Sequence, residues 1–507
     1  MLDKRTAADY LEETARRLPD KVAYVDPGRS VTFSEVTLEA KKLAQAIVDR
    51  GFFKSPVAVY LDKSIECIAA IFGVGFSGNF YTVLDTEMPK ARVDKILDTL
   101  QPEIFLTDKA HLDAVNEFSG DKPVVLYEEA VEKEDVDEEA LTKVREKIQS
   151  SDLMYVLFTS GSTGNPKGVA ASHYMYVYYF INAQKVDQYE ESDVLLNQTP
   201  FYFIMGGTDI FTPAFCGATT HIIPKSYYAF PPLLVNYIAE HKITFLMWVP
   251  SALAMIANTD AFGLADITCI KKIITGGEVV PVKVVRAWKK HLPDCYFVNA
   301  YGSTEMTDGG TYYVIDREFK DTDNLPIGIP YPNIDTMVID ENNKLVTEPY
   351  VEGELVIRSP SVAYGYYNDP ERTKEVFVQN PLNPYYEEKV YKTGDLVQYN
   401  SYGEIEYTGR RDFQIKHRGQ RIELGEIEIN VSSVEGVEEN ACLYDKKRER
   451  IVLYYTGTIE EKQLRDQLKE LLPPYMLPGK RVQLDKMPHN LNGKIDRTAL
   501  RDRMEKK

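Results

Sequence analysis

Between residues 55 and 360, short apolar runs rich in β-branched and aromatic residues alternate with stretches of helical spacing. The runs read PVAVYLD, EIFLTD, PVVLYE, LMYVLFTS, ITFLMWVP, IKKIITGG and CYFVNAYGSTE, with a helix starting at Ser64 after the first. This alternation predicts a largely parallel α/β architecture with ligand sites at the carboxyl ends of strands. Several runs end directly in glycine- and hydroxyl-rich turns, the composition expected of ligand loops.

The texture then changes. GELVIRS, KVYKTGDLVQYN and GEIEYTGRRD are short strand-and-turn units that predict an antiparallel subdomain. Beyond Gly409 comes a smaller α+β pattern: DFQIKHRG, a helix around ELGEIEINVSSV, strands in ENACLYD and RIVLYYTG, and the helix EEKQLRDQLKELL. The expected organisation is a large α/β domain over 1–408 and a small α+β domain over 409–507, joined near Gly409 to Asp412. The acidic stretch at 128–149 reads as a solvated helical element.

A chain of 507 residues is too long for one core. Its composition, 44% hydrophobic and 27% charged, is that of a globular protein. The net charge of −18 argues against nucleic acid as a bulk partner. From Arg410 onward, however, 21 Lys/Arg face 17 Asp/Glu, a net +4, so a mildly basic tail could meet an acidic partner. Five scattered cysteines show no CxxC spacing and argue against a disulfide framework or zinc site. The seven histidines have no metal-ligand spacing, and His173 in VAASH reads as structural. The first residues form a charged amphipathic helix without an apolar signal region, and CIAAIFGVGFSG at 67–78 is too short for a membrane span. The location expected from these features is the cytoplasm.

Five segments carry candidate chemistry. In TSGSTGNPKG, following a strand, Thr159, Ser160, Ser162 and Thr163 offer hydroxyls, while Gly161, Gly164 and Gly168 permit close backbone approach to an anion. Lys167 adds a point charge, but it stands between Pro166 and Gly168, so this is no Walker loop. NAYGSTE at 299–305 places Glu305, a hard oxygen ligand suited to Mg²⁺, just past a strand. YKTGDL at 391–396 presents Asp395 for sugar hydroxyls. The last two are GRRDFQIKHRGQRIELGEIE at 409–428 and NLNGKIDR at 491–498, which contains Lys494. Each alone has a plain reading: an ordinary turn, a surface carboxylate, a solvated lysine.

Together and in this order, the five resemble the adenylate-forming superfamily of acyl-CoA synthetases, luciferases and nonribosomal-peptide adenylation domains. The 409–428 and 491–498 strings are similar to the carrier-loading branch, and LNQTPFYF resembles stand-alone D-alanine–carrier protein ligases. The turn departs from that branch, with Ser303 where its members usually carry proline.

The resemblance implies ATP and Mg²⁺ as cofactors, an acyl-adenylate intermediate, and transfer to the phosphopantetheine thiol of a separate carrier protein. It also implies a C-terminal domain that is mobile between half-reactions. Lys494 would bridge the substrate carboxylate and the α-phosphate, Thr159 to Lys167 would hold the β- and γ-phosphates, Thr304 would contact the α-phosphate and Glu305 the Mg²⁺. Asp395 and Arg410 would hold the ribose. Gly277, Glu278, Asn299, Ala300 and Tyr301 would form the adenine slot, and Gly302 would also belong to the ATP site. Asp412 would be the hinge, and Lys416 and Gly419 would line the thiol tunnel.

The acyl pocket implied by the same alignment comprises Phe203, Ile204, Met205, Thr208, Met247, Ile274, Gly276, Ala300, Asp308 and Gly309. Amino-acid-activating members usually carry Asp at the position of Ile204. An ammonium buried against Ile204 without a partner would cost several kcal/mol, so a standard α-amino acid is not expected. Asp308 either binds a remote hydroxyl or amine of the acid, or caps a helix or faces solvent. Two further readings stay open: an acyl-CoA ligase that uses free CoA, and a non-catalytic nucleotide-binding member.

Overall fold

The computed structural model describes residues 4–132, 136–161, 164–228, 230–320, 323–411, 414–489 and 495–505. Its contacts divide the chain into two units: one of residues 1–86, 100–158 and 168–411, the other of 87–99, 159–167 and 412–507.

The first unit is built on two large sheets. In the nine-stranded sheet, the strands Tyr296–Tyr301, Lys272–Gly276, Phe245–Trp248, Val194–Asn197, Thr219–Ile222 and Val22–Val25 run parallel in that spatial order. The second sheet has seven strands and includes Pro56–Tyr60, Phe80–Leu84, Ile104–Thr107, Val124–Leu126 and Leu153–Thr159, again paired parallel. The α/β class read from the sequence is therefore observed.

Helices Phe33–Val48 and Ile65–Phe76 lie in the core of the second sheet. Their close approach depends on Gly73, where an added Cβ would come within 2.8 Å of Leu43 Cβ. That approach accounts for the glycine-rich apolar run as a buried helix. Among the described residues, no helix is long and apolar enough to cross a membrane. The acidic stretch forms two helices, Tyr127–Val131 and Glu138–Lys147, rather than one. It is also tied down, because Arg145 pairs with Asp9 and Glu12 at 2.7 and 2.9 Å.

The antiparallel subdomain has five strands: Asp335–Ile339, Gly353–Arg358, Phe377–Gln379, Lys389–Tyr399 and Ile405–Arg410. In the second unit a hairpin, Gln414–His417 with Gln420–Glu423, leads into the helix Leu424–Ser432. A three-stranded sheet follows, with Val437–Asp445 and Arg450–Gly457 antiparallel and Lys480–Gln483 added in parallel. Helix Glu461–Leu471 buries Leu464 and Leu468 in the same core as Ile427 and Val431.

Candidate functional site

Two motifs distant in sequence meet through strand register. Asp395 on Lys389–Tyr399 lies directly opposite Arg410 on Ile405–Arg410. Arg410 Nη1 donates to Asp395 Oδ1 at 2.7 Å, and both side chains are almost wholly buried. Tyr301, at the carboxyl end of its strand, donates its hydroxyl to Asp395 Oδ2. Burial and the adjacent carboxylate push the Tyr301 hydroxyl well above the usual phenol range, so it stays a donor. Glu354, given no role by the sequence reading, supports the preceding turn. It accepts from Gly394 N at 3.2 Å and from Arg411 Nη1 at 3.0 Å.

After Tyr301 the chain makes a tight excursion before returning as Thr311–Val314. A Cβ on Gly302 would lie 1.5 Å from Asp308 O, so only glycine fits there. Ser303 adopts φ −148°, ψ 165°, ahead of the short 3₁₀ turn Thr304–Met306. Proline is locked near φ −65°, which gives a physical reason for serine at this position. Glu305 is fully buried, its Oε1 accepting from Tyr366 OH at 2.9 Å. Thr304 is also buried. Thr307 and Asp308 both take left-handed backbone, φ 54° and 71°. Such conformations in non-glycine residues are costly and cluster at functional sites.

Asp308 caps no helix; it follows the 3₁₀ turn and precedes a strand. Its charge bears on Asp187, a buried carboxyl held by Tyr189 OH at 2.8 Å and Tyr331 OH at 3.1 Å. Burial first, opposed by those hydroxyls and assisted by Asp308, pushes Asp187 up to about 7.

The residues assigned to the adenine slot lie at strand ends. Gly276 pairs with Ala300, and a Cβ on Gly276 would come within 2.4 Å of Ala300 O. Gly277 follows with φ 85°. Glu278 Oε2 accepts from Ser251 N at 3.0 Å, and Asn299 Nδ2 donates to Pro326 O at 2.7 Å. Both side chains therefore have structural partners.

Four acyl-pocket positions, Met205, Met247, Ile274 and Ala300, fall in one apolar cluster with Phe180 and Tyr189. Phe203 precedes the helix Ile204–Cys216 and is half-buried, while Thr208 is buried one turn in. Ile204 packs elsewhere, in the core that contains Tyr176, Ile210 and Phe211. Next to Thr208, Asp209 is a buried acid that the sequence reading passed over. Asn197 Nδ2 donates to its Oδ2 at 2.7 Å, and burial pushes it up to about 7.

In the second unit, Thr159 closes its strand with Oγ1 buried and without a hydrogen-bond partner among the described residues. Ser160 Oγ donates to Arg421 O at 2.6 Å, and Gly161 N donates to Glu426 Oε2 at 3.1 Å. Gly164 has φ 82°, and Lys167 is buried at the start of Lys167–Ser172. Ser162, Thr163, the hinge position Asp412 and Lys494 lie outside the described residues. Beside Lys494, His489 pairs with Ile495, and Arg497 anchors the next helix to Cys442 O at 2.9 Å and Glu428 Oε2 at 2.8 Å. Arg418 and Gly419 form a two-residue hairpin turn with φ 52° and 77°, so the turn itself requires a residue such as Gly419. Lys416 is half-buried on the first strand of that hairpin.

Set beside known proteins, residues 11–367 match the family described as AMP-binding enzyme, and the chain belongs to that family. The adenylate-forming resemblance of the five motifs is thereby borne out. Tyrocidine synthase 3 of Brevibacillus parabrevis is 35% identical over 502 residues, 98% of this chain and 8% of that protein. The chain thus spans a small fraction of that relative's length. Among solved structures, holo-PA1221, a nonribosomal peptide synthetase protein containing adenylation and PCP domains, superposes with TM-score 0.83 at 23% identity. The match covers 98% of this chain and 84% of that one. IdnL1 superposes with TM-score 0.80 at 25% identity, over 96% and 99% of the two chains.

Proposed function

We propose that the protein activates a small carboxylic acid with ATP and passes the acyl group to the phosphopantetheine thiol of a separate carrier protein. A carboxylate oxygen of the acid attacks the α-phosphorus, the bond to the bridging oxygen breaks, and pyrophosphate leaves. The carrier thiol, losing its proton, then attacks the acyl carbon, and AMP departs as the leaving group.

The observation that carries this reading is the buried Asp395–Arg410–Tyr301 cluster. A carboxylate fixed on both oxygens is pre-oriented for the two hydroxyls of a ribose. Lys494 would neutralise charge between carboxylate and α-phosphate, as would Lys167 on the outer phosphates. Thr304 would hold the α-phosphate, and Gly277 with Tyr301 would flank the base. Glu305, a buried hard-oxygen donor, fits Mg²⁺ carried on those phosphates, and the cation would neutralise phosphate charge. For the second step, Lys416 and Gly419 would face the pantetheine arm, with Asp412 as the pivot.

The acid is not a standard α-amino acid. At the position where amino-acid-activating members usually carry Asp, this chain has Ile204, which offers an ammonium no counter-charge. The far end of the acid would meet Met205, Met247, Ile274 and Asp308.

Thioester formation tests the acceptor. Purified protein with ATP and its preferred acid should load a holo-carrier supplied as a second chain, and leave free CoA largely unacylated. Acylation of CoA in preference to the carrier would instead establish an acyl-CoA ligase.

A further inference from the structure

The nucleotide loop of the second unit carries an internal anion. Gly161 N, one of the backbone donors that such a loop turns towards a phosphate, donates instead to Glu426 Oε2 at 3.1 Å. The other carboxylate oxygen, Oε1, takes Arg92 Nη1, and both side chains are buried. Neighbouring contacts tie the loop to the hairpin strand Gln420–Glu423 and to the helix Lys90–Leu100. Ser160 Oγ donates to Arg421 O at 2.6 Å, and Lys95 Nζ donates to Gly164 O at 3.1 Å. A Cβ on Gly164 would come within 3.0 Å of Ile429 Cγ2, so glycine there permits the contact.

We propose that Glu426 acts as a stand-in for a nucleotide phosphate, its carboxylate and a phosphate oxygen of ATP or pyrophosphate excluding one another at Gly161 N–H, with Arg92 as the residue that positions it. One N–H cannot serve two anions at full strength, and two anions brought together at it repel. Glu426 therefore weakens phosphate binding at the loop and speeds the departure of pyrophosphate. This rests on the reading that residues 159–167 hold the outer phosphates. It adds a residue from the 409–428 string for which that reading supplied no role.

The arrangement also differs from a simple structural tie. Buried carboxylate–guanidinium pairs contribute little by themselves, and a tie would need only the Arg92 contact. The second oxygen is spent on a loop donor instead.

Glu426→Gln tests the assignment. Arg92, as the stronger donor, takes the amide oxygen, which turns the amide NH₂ towards Gly161 N–H, donor against donor, and frees that N–H. The probe is inorganic pyrophosphate with Mg²⁺, titrated calorimetrically, alongside the KM values for ATP and acid. The expected result is pyrophosphate and ATP binding tightened on the order of tenfold, with the acid KM unchanged. Should Glu426→Gln fail to fold, Glu426→Asp, which withdraws the carboxylate from Gly161 N–H by one methylene but keeps its charge, is expected to tighten binding by a smaller factor. Wild-type binding with no tightening in the folded variant overturns the Glu426 assignment alone. Absence of pyrophosphate binding in both proteins overturns the nucleotide-loop reading, and the assignment with it.

Discussion

Asp395 and Arg410 occupy opposed positions on neighbouring antiparallel strands, joined at 2.7 Å, and Tyr301 closes the other carboxylate oxygen. A hydrogen bond to a charged, buried group is worth about 1.5–3 kcal/mol. Tyr301→Phe removes one such bond and lets Asp395 turn. The expected outcome is a rise in the KM for ATP of about tenfold or more, with the KM for the acid unchanged, measured by ATP–pyrophosphate exchange. An equal rise in both would point to a general loosening of the fold.

Ser303 stands where relatives of the carrier-loading branch usually have proline, and its φ of −148° lies outside proline's range. Restoring the usual residue should therefore harm this chain. Ser303→Pro is expected to cost about 1–3 kcal/mol of stability and to reduce exchange sharply by moving Thr304 and Glu305. A variant as stable and active as the parent would show that the 302–308 excursion readily adopts another path.

Asp209 gives a pH-dependent signature. Its carboxyl is pushed up to about 7 by burial, against about 3.9 in an unfolded chain. The folded state then binds the proton more tightly, so stability falls as pH rises between those values, by up to about 4 kcal/mol. Asp209→Asn removes the ionisation. Thermal melts should show the variant gaining on the parent from pH 5 to pH 8, with little advantage near pH 4. A constant difference across that range would contradict the assignment.

Asp308 sits on left-handed backbone and is coupled electrostatically to the buried Asp187. Asp308→Asn should lower kcat/KM for the preferred acid by about tenfold. The effect on a close analogue lacking the remote hydroxyl or amine should be small. Competition assays with the two acids measure the ratio directly.

Much of the fold was legible because strand runs such as LMYVLFTS and ITFLMWVP are continuous, β-rich and bounded by turns. Strands such as Lys167–Ser172 and Thr219–Ile222 were not picked out, since KGVAAS and TTHI carry small or polar residues that only a sheet position explains. Asp395 and Arg410 were both named from motifs, yet their direct pairing depends on register, which a sequence does not print. Arg92 was invisible for a different reason. Its partner Glu426 lies 334 residues away, and an arginine in a charged helix ordinarily reads as surface. Asp209 was hidden inside an apolar run and Glu354 stood near a strand's start beside Glu352, so neither gave a sign of its buried partners.

Under the proposed function, this chain adenylates an acid lacking an α-ammonium. Acid-dependent ATP–pyrophosphate exchange across α-, β- and γ-amino acids, hydroxy acids and aryl acids measures it directly. The account predicts exchange with one or a few acids lacking an α-amine and near-background exchange with every standard α-amino acid. Strong exchange with an α-amino acid such as D-alanine would contradict it and show that the ammonium finds a partner other than the position held by Ile204.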